Sequence, residues 1–228
     1  RKNYIKRPKI SNVTQIVLVV SSKMPKPDLL MLDKQLAFAK FLGINAVIVL
    51  NKIDLEDVKE IEKVYKKIGY KVIKTNAKEN IGIKELKSVL KGNISVFSGN
   101  SGVGKSSLLN SLFEENKTIE GQISQKNKRG KNTTTHVKLY ELEKDAYIAD
   151  TPGFSTFDIY EIESKELENY FIEFKQYIKK CEFVGCTHQK EENCGIKEAV
   201  RNNMISQDRY DRFVQIYNIL KEKEKNKW

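Results

Sequence analysis

The sequence predicts an α/β fold with a mostly parallel sheet, followed by a smaller helical domain. Three observations carry this. Short apolar, β-branched runs alternate with helical patterns over the first two-thirds of the chain. A glycine-rich turn stands between one such run and a helix. Past about residue 158 strand signals disappear, and three cysteines and one of only two histidines gather in a short stretch.

The elements follow in order. Gln15–Ser22 is an apolar, β-branched run, the mark of a buried strand. From Asp28 to Leu42, the residues Leu29, Leu32, Leu36, Ala39 and Phe41 recur at helical spacing. Ile44–Leu50 reads as a second buried strand, Leu55–Ile68 as a helix, Lys71–Lys74 as a short strand and Ile83–Leu90 as a helix. Ile94–Ser98 is a strand that runs into the glycine-rich turn, and Lys105–Phe113 is the helix that leaves it. Gly121–Thr135, polar and basic, reads as a loop; Val137–Leu142 and Tyr147–Ala149 read as a strand pair. Helical stretches return near Lys197–Asn203 and Gln207–Lys223, and the last eight residues read as a fraying end. The expected domains are 1–157 and 158–228.

Composition bounds the function. The 228 residues carry 41 Lys+Arg against 30 Asp+Glu, a net charge of +11, which points to an anionic partner such as nucleic acid or a membrane surface. No apolar run approaches the ~20 residues of a membrane span, and no signal peptide is visible. Three cysteines are too few for a disulfide scaffold, so a reducing, cytoplasmic setting is expected. The chain begins with Arg1 rather than Met, as part of a longer protein would.

Gly99-Asn100-Ser101-Gly102-Val103-Gly104-Lys105-Ser106 matches G-x4-G-K-S in the strand-to-helix setting that this motif requires. Glycines let backbone N–H groups curl around phosphates, and the helix N-terminus favours the anion. Lys105 is expected to reach the β- and γ-phosphates and Ser106 to ligate Mg²⁺, with Ser107 completing the binding set. Asp150-Thr151-Pro152-Gly153 follows an apolar strand. Alone it is a turn; below a phosphate loop, Asp150 becomes a candidate for Mg²⁺ and the Gly153 N–H for sensing the γ-phosphate.

Asn51-Lys52-Ile53-Asp54 follows the second strand. A carboxylate accepts from both N1 and N2 donors of guanine, a pair that adenine lacks, so Asp54 selects guanine. The Lys52 stem is placed to pack on the base, and Asn51 to tie this loop to the phosphate loop. Asn76, Ala77 and Lys78 follow the next strand, where the Ala77 N–H can meet the guanine O6. A conventional GTPase has its phosphate loop first. Here the base-reading loop is at 51 and the phosphate loop at 99, so one nucleotide site requires a circularly permuted domain. The Asp150 loop then leads straight into the C-terminal segment, so nucleotide state can reposition it.

Cys181, Cys186, His188 and Cys194 form C-x4-C-x-H-x5-C. Three thiolates and an imidazole make a closed tetrahedral set, typical of one structural zinc; an iron–sulfur cluster more usually takes four cysteines.

The permuted order together with G-N-S-G-V-G-K-S-S-L, K-N-T-T-T-H, D-T-P-G-F and C-E-F-V-G-C-T-H-Q-K-E-E-N-C resembles the RsgA family (also called YjeQ or EngC), bacterial GTPases of late small-subunit maturation. The resemblance covers essentially the whole chain. It implies GTP/GDP and the small ribosomal subunit with its 16S-type rRNA as partners, and zinc at the four positions above. Family members carry an OB-fold domain before the GTPase, and Arg1 to Val13 resembles the link that follows it. The family's hydrophobic residue after D-x-x-G is Phe154 here, but its catalytic histidine is replaced by Asn132, in Lys131-Asn132-Thr133-Thr134-Thr135-His136. Asn cannot act as a base near neutral pH. His136 is the alternative if the loop refolds, although Thr-His-Val reads better as the start of a strand. Lys105, Thr134 and Gly153 stand as the catalytic set, with Thr134 on Mg²⁺.

Hydrolysis is expected to be slow alone and stimulated by the subunit. Lys126, Lys128, Arg129 and Lys131 near the switch and Lys179, Lys180 and Lys190 near the cysteines suit rRNA phosphates. Other readings remain: a GTP-gated rRNA-binding switch with negligible catalysis, or a P-loop enzyme on a small molecule. No coiled coil or apolar stripe demands a partner copy, so a monomer without membrane association is expected.

Overall fold

The computed structural model describes residues 12–114, 138–150 and 159–226. The described elements run β1 (Gln15–Ser21), α1 (Leu29–Phe41), β2 (Asn45–Asn51), α2 (Lys59–Ile68), β3 (Lys71–Thr75), α3 (Ile83–Leu90), β4 (Ile94–Ser98), α4 (Lys105–Glu114), β5 (Lys138–Glu143) and β6 (Ala146–Asp150). Four short 3-10 turns lie between Ile159 and Lys180, and α5 (Gly195–Arg201) and α6 (Gln207–Lys225) follow. No described helix is long and apolar enough to cross a membrane.

The sheet order is β3-β2-β1-β4-β6-β5. Every neighbouring pair is parallel except β5 with β6. β1 is buried at all seven positions: the apolar run Ile16–Val20 accounts for the middle, and Gln15 is buried with its side chain donating to Val89 O and accepting from Ser95 Oγ. It pairs with β2 from Gln15↔Asn45 to Ser21↔Asn51, so the two strands end level. From β1 the chain steps outward through β2 to β3, whereas β4 lies on the other side of β1. The order therefore reverses between β1 and β4, and open α/β sheets bind ligands beyond the strand carboxyl ends at such a reversal. The parallel strands end at Ser21, Asn51, Thr75, Ser98 and Asp150 on that one edge.

Backbone packing separates two compact units. The first holds the sheet with α3 and α4. Its core joins Val17, Val49 and Ile73 of the sheet to Leu86 and Leu90 of α3 and to Leu108 and Leu112 of α4. Leu86 and Leu90 stand four apart, on one helix face. The second unit gathers α1, α2 and the chain from Ile159 onward. Its core is aromatic: Phe174 lies 4.8 Å from Phe213 and 5.3 Å from Phe171 between ring centroids.

Two details depart from the sequence pattern. α2 begins at Lys59 rather than near Leu55, because the chain first turns: the Leu55 N–H donates to Lys52 O (3.0 Å) and the Lys59 N–H to Asp57 Oδ1 (3.0 Å). In α1, capped by Asp28 Oδ1 accepting from the Met31 N–H (2.9 Å), Leu29 and Phe41 are only half-buried, while Asp33 and Gln35 are buried. Asp33 accepts from Tyr65 Oη (2.5 Å), from Arg212 Nε (2.6 Å) and from Arg209 Nη1. Arg209, 1% exposed, also pairs with Glu173 (2.5 Å) and lies 4.5 Å from the Phe171 ring centroid. Each buried charge thus has its counter-charge within the unit.

Candidate functional site

The first site is the edge where β1, β2, β3 and β4 end. Two glycines of the phosphate loop have no room for a side chain. A Cβ on Gly99 would fall 2.3 Å from Val19 O, and one on Gly104 would fall 2.3 Å from Asn51 Nδ2. Their φ angles of +145° and +98° also disfavour any other residue. Lys105 opens α4 and curls back, its Nζ donating to Gly99 O (2.6 Å) and Asn100 O (2.9 Å). Partial burial lowers its pKa. Ser106 and Ser107 are exposed on the first turn of α4, which carries no acidic residue to compete with an anion.

The Asn51 amide joins the loops. Its Nδ2 donates to Val103 O (2.9 Å), and its Oδ1 accepts from Thr75 Oγ1 (2.9 Å). Lys52, at φ +61°, donates from Nζ to Gly102 O (2.7 Å) and to Met24 O. The Lys52 carbonyl in turn accepts from Ser22 Oγ (2.5 Å). Asp54 is exposed just beyond. At the end of β3, Asn76 Oδ1 accepts from the Lys78 N–H (3.1 Å), and Ala77 O accepts from Ser111 Oγ of α4 (3.0 Å). Asn51, Lys52 and the glycines therefore meet directly, and Asn76, Ala77 and Lys78 flank them. Ser22 escaped the sequence reading; its only signal is a hydroxyl at a strand end. Asp150 ends β6 at this edge. Thr134, Gly153, Asn132, His136, Phe154, Lys126, Lys128, Arg129 and Lys131 lie outside the described residues.

The second site is the cysteine cluster. Cys181 leaves the last 3-10 turn, Cys194 immediately precedes α5, and Cys186 and His188 lie on the loop between. Gly195 is needed there, because a Cβ would fall 2.4 Å from Tyr177 O. The four ligand atoms lie within 4.8 Å of one another. Cys181 Sγ is 3.9 Å from Cys194 Sγ and 3.6 Å from His188 Nδ1, which is 3.3 Å from Cys194 Sγ. A tetrahedral site with metal–sulfur bonds of ~2.3 Å has edges of about 3.5–3.8 Å. Cys181, His188 and Cys194 stand near that spacing and Cys186 within 4.8 Å of all three, so this group can hold a metal.

The surroundings aim the ligands. Glu168 Oε2 takes His188 Nε2 at 2.5 Å, which leaves Nδ1 facing the sulfurs. His188 itself sits at φ +61°, its carbonyl accepting from Tyr210 Oη (2.6 Å). Glu191 accepts from the backbone N–H groups of Thr187 (2.8 Å), Gln189 (3.1 Å) and Lys190 (3.1 Å). Burial opposes its ionisation, but these hydrogen bonds outweigh burial and hold its carboxyl at about 2. Burial pushes the Cys186 thiol up to about 12. Burial acts the same way on Cys194, but its hydrogen bond with His188 prevails and draws it down to about 7. A bound divalent metal displaces these thiol protons. Glu168 also escaped the sequence reading, being twenty residues from its histidine. Lys179, Lys180 and Lys190 are exposed around the cluster.

The RsgA GTPase family model matches residues 1–160. A relative from Ruminiclostridium cellulolyticum, named small ribosomal subunit biogenesis GTPase RsgA, is 44% identical over 97% of this chain and 73% of its own length. A relative of the same name from Thermotoga maritima is 43% identical over 95% of this chain and 75% of its own. Among solved structures, YjeQ from Thermotoga maritima superposes with a TM-score of 0.80 at 40% identity, over 96% of this chain and 76% of that one. YloQ, described as a circularly permuted GTPase, superposes with a TM-score of 0.76 at 30% identity, over 93% of this chain and 69% of that one.

Proposed function

The chain belongs to the RsgA GTPase family, and from that premise we propose a factor that binds and hydrolyses GTP in late maturation of the small ribosomal subunit. The observation that carries the nucleotide reading is the Asn51 amide, bonded at once to the phosphate loop at Val103 and to Thr75 before the Asn76 loop. Three sequence-distant loops thereby act as one site. Asp54 accepts from N1 and N2 of guanine, Lys52 packs on the base, and Asn76, Ala77 and Lys78 border it. Asn100 to Ser107 hold the phosphates, with Lys105 turning from the loop carbonyls to the nucleotide. Ser106, Thr134 and Asp150 are the residues to hold Mg²⁺, which neutralises charge on the phosphates when bound. The Gly153 N–H takes the γ-phosphate.

Zinc is the metal proposed for Cys181, Cys186, His188 and Cys194, one per chain and structural, because a closed Cys₃His set leaves no open position. The division at 157/158 keeps the phosphate loop in one domain and these ligands in the other. The proposed setting is cytoplasmic, the chain a monomer, and the RNA contact is with 16S-type rRNA through the exposed lysines.

Competition between GTP and ATP tests the base assignment: GTP is expected to win in the native chain and to lose its advantage in Asp54→Asn. Equal affinity in the native chain overturns it. A second reading rests on Asn132, which stands where the family resemblance implies a histidine. It makes the chain a GTP-gated rRNA-binding switch with negligible catalysis. Single-turnover hydrolysis with and without small subunits separates the two. Stimulation of the native chain supports the GTPase; stimulation only of Asn132→His supports the switch.

A further inference from the structure

The described residues include one apolar pair that the two sites leave unexplained. Phe183 is 57% exposed and Val184 fully so, at the tip of the loop between Cys181 and Cys186. Side by side, the two make a small contiguous apolar patch rather than a scattered single exposure, and the patch is held at its base. The Glu182 N–H donates to Asn193 O (3.1 Å), Asn193 Nδ2 donates to Glu182 Oε2 (2.7 Å), and both ends of the loop are metal-ligand candidates. Gly185, at φ +78° with no atom within 4 Å of a Cβ, turns the tip back.

The charge around the tip identifies the partner. Lys179 and Lys180 precede the loop and Lys190 follows it, all exposed. Of the nearby acids, Glu182 is engaged by Asn193 and Glu191 by its own loop; Glu192 is exposed. A single aromatic ring with a small apolar neighbour, set among lysines, has the size of one nucleobase with its flanking phosphates. It is too small for the apolar core of a protein interface. Sequence-tolerant binding of single strands uses this combination of ring stacking and backbone charge. We propose that Phe183, with Val184 beside it, is a stacking platform for an unpaired RNA base, with Lys179, Lys180 and Lys190 holding the adjacent phosphates. The proposal deepens the RNA reading above and rests on it.

The test uses the metal-loaded chain and fluorescein-labelled oligouridylate, with an RNA duplex of equal length as control. Phe183→Ala is expected to weaken single-strand binding at least about fivefold, the low end of one base–aromatic stack. Metal content, duplex binding and the slope of affinity against salt should stay unchanged. Phe183→Trp should restore binding, and its emission should be quenched by the oligonucleotide, measured against the native chain with its one Trp, at 228. Combined Lys179→Ala, Lys180→Ala and Lys190→Ala should flatten the salt dependence for both RNAs. If Phe183→Ala binds as the native chain does while the lysine variant binds less, the platform is overturned and the RNA reading stands. If the native chain binds neither RNA, both fall. If Phe183→Ala binds small subunits less but free RNA normally, the tip contacts protein and the platform is overturned.

Discussion

Around the phosphate loop, geometry is held by backbone: level strand ends, glycines with no room for a Cβ, and carbonyls that accept from Lys52, Lys105 and the Asn51 amide. Around the cysteine cluster almost no regular structure is available. Short 3-10 turns and loops lead into it, and side chains define it: three sulfurs, one imidazole, and the Glu168 and Glu191 carboxylates behind them. A sheet stabilises its edge through a core that extends well away from the site. The loop cluster packs on the second unit's aromatic core through Cys186, Cys194 and His188 but has no ladder of its own, so a metal held there would supply much of its order.

The largest expected effect follows from this contrast. Cys194→Ala, or chelation of the metal, should cost the second unit most of its stability, on the order of 10 kcal/mol by analogy with small metal-dependent domains. Loss of helical circular dichroism and of a cooperative melt would register it. An unchanged melt would break the comparison, because the unit would then be held by its aromatic core alone. Asp33→Ala comes next. It leaves Arg209 and Arg212 without the carboxylate they share and should destabilise the chain by about 3–5 kcal/mol in urea unfolding. A loss below about 1 kcal/mol would mean that Glu173 alone satisfies Arg209.

Gly104→Ala should lower nucleotide affinity about a hundredfold, because the new methyl displaces the Asn51 amide that joins the loops. Metal content should stay at the native level. A matching loss of metal would show that the two sites are not built separately. The smallest effect is expected for Glu168→Gln, which weakens the acceptor behind His188 and should reduce metal affinity about tenfold. Competition against a chromogenic chelator measures this, and an unchanged affinity would make Glu168 a bystander.

Much of the molecule was legible in advance. The α3 range Ile83–Leu90 and the β4 range Ile94–Ser98 coincide with the sequence reading, because one apolar period governs each. The G-x4-G-K-S and N-K-x-D motifs and the Cys₃His grouping were legible because their residues stand at fixed local spacings. The buried side of α1 was not. Apolar periodicity cannot reveal that Asp33 is buried, since its partners Arg209 and Arg212 lie 176 and 179 residues away. Ser22 and Glu168 were missed for the same reason: a lone hydroxyl or carboxylate carries no pattern until its partner is placed beside it.

What the sequence determined by itself was the set of chemical parts and their order: strand, turn and helix, Asn51-Lys52-Ile53-Asp54 ahead of Gly99–Ser106, and three cysteines and a histidine within fourteen residues. These depend on neighbours along the chain. Tertiary structure alone decided that α1 and α2 join the C-terminal residues in one compact unit. It also decided which carboxylate aims His188, and that Phe183 and Val184 face solvent. Those outcomes depend on which surfaces and charges meet in space, and burial of a charge is tolerated only where a distant partner arrives to compensate it.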